Sequence, residues 1–474
     1  MLFNSLEYAV FLPLVFIMYW LLPPKFRWIL LLLSSYYFYM CWNVKYVLLI
    51  ATATVVSYFC AIAIEETEKS FRKKLFLGAA VTVSLGILFV FKYFNFAMST
   101  LSSLFSFNPV YLKFLLPVGI SFYTFQSLSY VIDVYKGTQK AERNLAVYAT
   151  FVSFFPQLVA GPIERTANLL PQIKKASSFD YNNGCQGILL IVWGMYKKVV
   201  IADNLAVWVD KVYGNVTAFH GFSLLVATIF FSLQIYCDFS GYTDIARGSA
   251  KLFNIDLMEN FRCPYFSSGI KDFWNRWHIS LSTWFRDYVY IPLGGNRCSK
   301  LRNYFNVIVT FLVSGLWHGA DWTFVLWGGM HGAAQVLENI LGIKKYNKGN
   351  GIWLVRVLLT FSFVVLAWVF FRAANIQDAV YVFKNMFIGA LHFKIYFVTD
   401  GYKALGIKGN EIWKIFVLYL LPLIAYDYIS LSNNIFTFFK RQSTSFRYAS
   451  LFASIMLILL FGYFGQSSFV YFQF

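Results

Sequence analysis

The sequence predicts an all-α polytopic membrane protein, and three observations carry that prediction. Only 13% of its 474 residues are charged, where a soluble chain carries roughly a quarter. Hydrophobic residues make up 59% and aromatic residues 21%. Long apolar runs recur along the whole chain, at lengths suited to spanning helices rather than to the short alternating segments of a barrel. Together these exclude a soluble enzyme, a disordered chain and a disulfide scaffold. The few charges are also lopsided, with 40 Lys and Arg against 22 Asp and Glu, a net +18. That excess has to be accommodated in short loops.

Taken in order, apolar runs cover 5–22, 28–42, 46–64, 75–97, 114–132 and 145–160. Further runs cover 185–205, 221–240, 303–318, 322–341, 352–371, 412–430 and 448–465. Some are short or closely spaced, so the expectation is about 10–12 transmembrane helices plus re-entrant and amphipathic interfacial helices. The first run lacks a basic flank and a small-residue cleavage site, which reads as a retained span rather than a signal peptide. One integral membrane domain is expected over 1–474, with core motifs in 115–340 and a tail at 466–474.

Basic residues set the orientation. Lys25 and Arg27 follow the first run; Lys69, Arg72, Lys73 and Lys74 follow the third; Lys136, Lys140 and Arg143 follow the fifth. Cytoplasmic placement of these alternate loops puts the N-terminus outside. Lys440, Arg441 and Arg447 before the last run put the tail outside too. The lysines of 372–411 run against this pattern, in a stretch long enough to weaken the rule. None of the six cysteines forms a CxxC pair, so buried inert thiols are expected, with no metal site.

Two stretches break the apolar pattern. Pro156, Gly161, Pro162 and Pro171 interrupt the segment 154–175, and irregular backbone at membrane depth survives only inside protein or beside a cavity. The stretch 232–300 is rich in polar and aromatic residues. Within it, Trp274, His278, Leu281 and Phe285 recur at helical spacing, with Lys271, Asp272, Arg276, Arg286 and Asp287 on other faces. That pattern predicts an amphipathic helix at the cytoplasmic interface. It is either a surface anchor or a helix that dips into a cavity and presents His278.

His318 ends one apolar run and His331 lies in the next, each followed by glycine. An ionisable side chain at that depth is costly and marks function by default. The adjacent glycines permit close approach of a substrate or another backbone. The competing reading is a histidine bonded to a neighbouring helix, which is favoured for His331. Asp238 and Asp244 end another run, and a structural pairing, with Arg247 as one partner, is favoured there. No serine-nucleophile elbow, zinc signature or nucleotide loop is present. The best reactive groups are therefore histidines, suited to acting as general base toward a hydroxyl that attacks an ester or thioester.

Four stretches taken together, 154–163, 234–248, 273–295 and 315–332, resemble the membrane-bound O-acyltransferase family. The likeness is to its bacterial alginate O-acetyltransferase branch, kin to the D-alanylating proteins of teichoic acid. It extends to MLFNSLEY at the start and FVYFQF at the end. The resemblance implies a ring of tilted helices around a central funnel, in a multi-pass protein of the bacterial cytoplasmic membrane. By motif match it implies His318 as the catalytic histidine and His278 as the second catalytic position. Tyr471, in the F-x-Y-F pattern of 469–472, is the implied acyl relay. Asn275, Arg276, Arg286, Asp287 and Asp238 are candidates for binding or supporting the donor. No bound cofactor is implied; the donor is acetyl-CoA or an acyl-carrier thioester. The implied partners are an extracytoplasmic acetyltransferase or acyl-accepting protein, a polysaccharide as final acceptor and the lipid bilayer, with no nucleic acid. Arg297, Lys300 and Arg302 add cytoplasmic charge suited to phosphates. The rival readings are a D-alanyl or lipid O-acyltransferase, a polysaccharide or lipid transporter, and a non-enzymatic scaffold. A transporter would commonly show a second broken segment in an inverted repeat, and none is evident.

Overall fold

A computed structural model describes residues 1–159, 161–343, 351–392, 395–432, 435–465 and 469–470, with backbone only at 398–400, 402 and 410. The described residues form helices and connecting turns, with no strand among them. Each apolar run read from the sequence overlaps helix, although 114–132 becomes helical only at Ile120, 145–160 holds two helices, and 448–465 leaves the helix after Phe461. Seven helical stretches among the described residues are long and apolar enough to cross a membrane: Val44–Glu66, Ser70–Phe105, Tyr181–Tyr213, Phe222–Lys251, Gly351–Arg372, Ile412–Ser430 and Thr444–Phe461. The larger count of 10–12 would need helices that fail this test. Leu6–Leu21 has 16 residues, about 24 Å at 1.5 Å per residue, short of a ~30 Å hydrocarbon core. Lys300–His318 has the length but opens with Lys300, Arg302, Asn303 and Asn306.

The chain forms two compact units. One comprises Met1–Ile191 with Tyr242–Glu259; the other comprises Val192–Gly241 with Asn260–Phe474. Within the first unit, the proline-interrupted segment folds as the short helix Phe155–Leu158 followed by Thr166–Lys174. Just before it, the Phe151 carbonyl accepts from the side-chain amides of both Gln126 and Gln157 at 2.8 Å. Glu164 is fully buried and accepts from Asn168 at 2.7 Å and from the Met258 N–H. Asp244 meets Arg247 at 3.6 Å, the pairing favoured from sequence.

Within the second unit, two helices set the frame of the site. Ser299 caps Lys300–His318 by accepting from the Arg302 N–H. Three residues later Asp321 caps Trp322–Ile340 by accepting from the Thr323 N–H at 2.8 Å. So short a link turns the chain back on itself and packs the two helices against each other. The packing is close because glycines face backbone. A Cβ on Gly315 would lie 2.2 Å from the Phe324 carbonyl oxygen, and one on Gly328 would lie 2.2 Å from that of Phe311. Gly315 and Gly319, like Gly328 and Gly332, stand four apart, the small-residue spacing that lets membrane helices approach.

The structure corrects two expectations. The amphipathic helix over 271–290 is not continuous. It runs as Ile270–Trp274, Ile279–Phe285 and the wider turn Arg286–Tyr290, broken at His278 with φ 42°. The thiols are also not uniformly buried: Cys237 and Cys263 are, but Cys41 and Cys298 are exposed.

Candidate functional site

His278 lies at the break between two short helices, and the break is held by backbone bonds. The Ile279 N–H donates to the Asn260 carbonyl at 3.0 Å, and the Arg262 N–H to the Arg276 carbonyl at 2.9 Å. The Asn260 side-chain oxygen accepts from the Ser280 hydroxyl at 2.6 Å and from the Ser280 N–H at 3.3 Å. These contacts hold a non-glycine residue in the left-handed region, which costs about 1–3 kcal/mol and persists only where surroundings enforce it. The effect is to turn the imidazole inward: His278 is fully buried.

His318 is the last residue of its helix, where Gly319 turns extended. The helix crossing described above carries it inward, and it is 2% exposed. Its ring meets Trp327 edge-on at 5.0 Å and Phe371 at 5.5 Å. The His278 and His318 ring centroids lie 6.3 Å apart. Two residues 40 positions apart in sequence thus share one buried, aromatic-walled site. His331 has a partner of its own, accepting from the Trp274 indole N–H at Nδ1 over 3.3 Å. It stacks on Phe273. This is the structural role favoured from sequence.

The remaining predicted residues separate into three groups. Asn275 and Arg286 line a cavity of about 670 Å³, together with Lys271, Ser282, Asn303 and Ser314. Ser314 stands four residues before His318 on the same helix, so the cavity reaches the helix that carries the histidine. Arg286 is exposed and pairs with its neighbour Asp287 at 2.8 Å. Arg276 is tied back to Asp272 at 3.0 Å. Asp238 pairs with Lys198 at 2.8 Å, and Lys198 also pairs with Asp203 at 2.7 Å. The second Asp238 oxygen accepts the Val470 N–H at 2.7 Å. The adjacent Phe239 ring meets His278 edge-on at 4.7 Å and Phe469 at 5.8 Å. Tyr471 lies outside the described residues.

Lys198 and Asn260 were missed by sequence reasoning. Lys198 carried a readable signal: Lys197 and Lys198 interrupt an otherwise apolar run, and such charges at membrane depth are rarely idle. Asn260 carried none, because its role lies in a backbone turn formed 18 residues downstream.

Helices long and apolar enough to span a membrane and two buried imidazoles in an aromatic-walled site are an arrangement suited to a membrane-embedded enzyme. Residues 141–343 match the model of MBOAT, the membrane-bound O-acyltransferase family. The peptidoglycan O-acetyltransferase of Helicobacter pylori is 38% identical over 81% of this chain and 80% of its own length. A chain of Azotobacter vinelandii named probable alginate O-acetylase AlgI is 42% identical over 80% of this chain and 76% of its own. The teichoic acid D-alanyltransferase of Bacillus subtilis is 30% identical over 54% of this chain and 68% of its own. The chain belongs to the membrane-bound O-acyltransferase family and is a multi-pass membrane acyltransferase.

Proposed function

We propose that this acyltransferase takes an acetyl group from a cytoplasmic thioester, acetyl-CoA or an acyl-carrier thioester, and delivers it for O-acetylation of an extracytoplasmic polysaccharide. The carrying observation is the pair of buried rings, His278 and His318, 6.3 Å apart. Acetyl is favoured over D-alanyl because the relatives named for acetylation match 80% or more of this chain, and the D-alanyl relative 54%. The named acceptors of those relatives, peptidoglycan and alginate, support a polysaccharide as the final acceptor.

His318 takes the proton of the attacking hydroxyl, whose oxygen bonds to the thioester carbonyl carbon. The carbon–sulfur bond breaks, and the leaving thiolate receives the proton, so an ester and a thiol result with no net proton change. Burial favours the neutral form of an imidazole, which a base requires at neutral pH. His278 orients the reacting group from the opposite side. Arg286 and Asn275, on the cavity wall, hold the donor, with Arg297, Lys300 and Arg302 adding positive charge nearby in sequence. The first acceptor is the Tyr471 hydroxyl, which passes the acetyl group to an extracytoplasmic acyl-accepting protein. Support for this comes from the two residues just before it, both buried, with Phe469 against the aromatic ring that touches His278. The protein sits in the bacterial cytoplasmic membrane with both termini outside.

The test is His318→Ala at matched protein level. General-base loss costs roughly 10²- to 10⁴-fold, so ester-linked acetate on the envelope polymer falls to background; unchanged acetylation refutes the role. For the relay, Tyr471→Phe removes only the hydroxyl. Intact-mass analysis after incubation with labelled acetyl-CoA then loses the +acetyl species seen in the wild type. Acetylation that survives this change refutes the relay.

A further inference from the structure

We infer that Asp238 is the seat of the chain's own C-terminal segment, and that Asp203 and Lys198 exist to aim it. The described residues of this segment are held at two places. Where it leaves the helix Thr444–Phe461, the Tyr463 N–H donates to the Val199 carbonyl at 2.8 Å, and the Asn204 side-chain amide donates to the Phe461 carbonyl at 3.0 Å. Residues 199–204 belong to the same helical stretch that carries Lys198. Further on, the Val470 N–H donates to Asp238 Oδ2 at 2.7 Å. Phe469 is fully buried and Val470 is 3% exposed, so these two residues lie inside the protein.

The cluster suits this task. The Lys198 side chain is 1% exposed and those of Asp203 and Asp238 are 3% and 2%. Taking three charges out of water costs several kcal/mol each unless partners restore what is lost. Lys198 satisfies one oxygen of Asp238 and fixes the carboxylate's orientation. The other Asp238 oxygen accepts the Val470 N–H, and hydrogen bonds to a charged acceptor are the strong ones. The next residue, Phe239, closes the arrangement by contacting both Phe469 and His278. Consecutive residues on one helix thus grip the segment and touch the histidine site. Asp238 is a positioning residue: it acts through the segment that it holds. The consequence for transfer rests on the reading that residue 471 carries the acetyl group; the seat itself does not.

The experiment reads the seat without reading activity. Purified full-length protein in detergent is treated with a carboxypeptidase, and the loss of C-terminal residues is followed by intact mass. Loss of a hydrogen bond to a charged group raises the open population about 10- to 100-fold. Asp238→Ala is therefore expected to be trimmed past residue 470 about 10- to 100-fold faster than wild type. Asp238→Asn keeps one acceptor but loses the charge and sets its NH2 against either the Lys198 ammonium or the Val470 N–H, so it is expected to be trimmed faster than wild type and more slowly than Asp238→Ala, a graded response that follows the contact. Should Asp238→Ala fail to fold, Phe469→Ala removes the ring against Phe239 and leaves the ion cluster untouched; it too is trimmed faster. Wild-type trimming rates in both alanine variants overturn the seat. A segment released by these changes with transfer intact supports the seat and overturns the Tyr471 relay. An unreleased segment with transfer abolished by Tyr471→Phe does the reverse.

Discussion

Gly328→Ala tests whether the helix crossing sets the position of His318. The added methyl would lie 2.2 Å from the Phe311 carbonyl oxygen and 3.1 Å from the Gly315 Cα. Ordinary contact begins near 3.4 Å, so the methyl is short of room by about 1.2 Å, and the obstacle is backbone on a packed helix. No rotamer change relieves that, and the two helices must separate by about an ångström. Overpacking of this kind costs about 1–3 kcal/mol of stability. The larger effect falls on chemistry: a displacement near 1 Å at a reacting group costs roughly 100-fold, or about 2.7 kcal/mol of barrier. Ester-linked acetate on the envelope polymer, normalised to the amount of folded protein, should fall by about that factor. The control is one residue away. A Cβ on Gly329 would meet only the Leu312 side chain, at 3.4 Å, so Gly329→Ala makes the same chemical change in open space and keeps its activity. If the two variants retain equal normalised activity, the crossing does not position His318 and the reasoning fails.

Burial lifts Glu164 from 4.5 to about 7, against the opposing hydrogen bonds from the Asn168 side chain and the Met258 N–H. The folded state therefore binds its proton more tightly than the unfolded state, and that stabilisation is present below about 4.5 and lost as pH rises through about 7. Glu164→Gln should gain thermal stability relative to wild type between pH 5 and pH 8, and a pH-independent difference in melting temperature would contradict this. Arg286→Gln should raise KM for acetyl-CoA several-fold with little change in kcat, because the side chain lies on the cavity wall and not at the histidines. Its KM should also become less salt-dependent than that of the wild type; an unchanged KM would remove Arg286 from donor binding.

Residues whose chemistry contradicts their surroundings were the legible part of the site. His318 and His278 stood out because an ionisable group in an apolar, aromatic run is costly. The Asp244–Arg247 pair was readable because its partners are three apart on one helix. The break at His278 was not, since Trp274, His278, Leu281 and Phe285 keep helical spacing with no glycine or proline among them. What breaks that helix is Asn260, reached through tertiary contact. The glycines of 315–332 were read as room for a substrate or a backbone, and the structure decides for backbone at Gly315 and Gly328. The partner of Asp238 was equally hidden. Lys198 lies 40 residues away, and local pattern carries no information on that closure.

The two histidines sit at opposite ends of their helices, and this divides the labour between them. His318 ends the 19-residue helix Lys300–His318. Unpaired carbonyls there carry about half a negative charge, and a cation at such a terminus gains up to ~2 kcal/mol when partly buried. His278 instead precedes the first turn of Ile279–Phe285, whose Ile279 and Ser280 N–H groups are taken by Asn260. Of the two, only His318 lies at a helix C-terminus, which supports the imidazolium formed when an imidazole accepts a proton. Two titratable groups whose surroundings push their protonation apart are a general signature of an acid–base assignment. On that ground His318 is the proposed base, and His278 the proposed hydrogen-bond donor to the developing oxyanion.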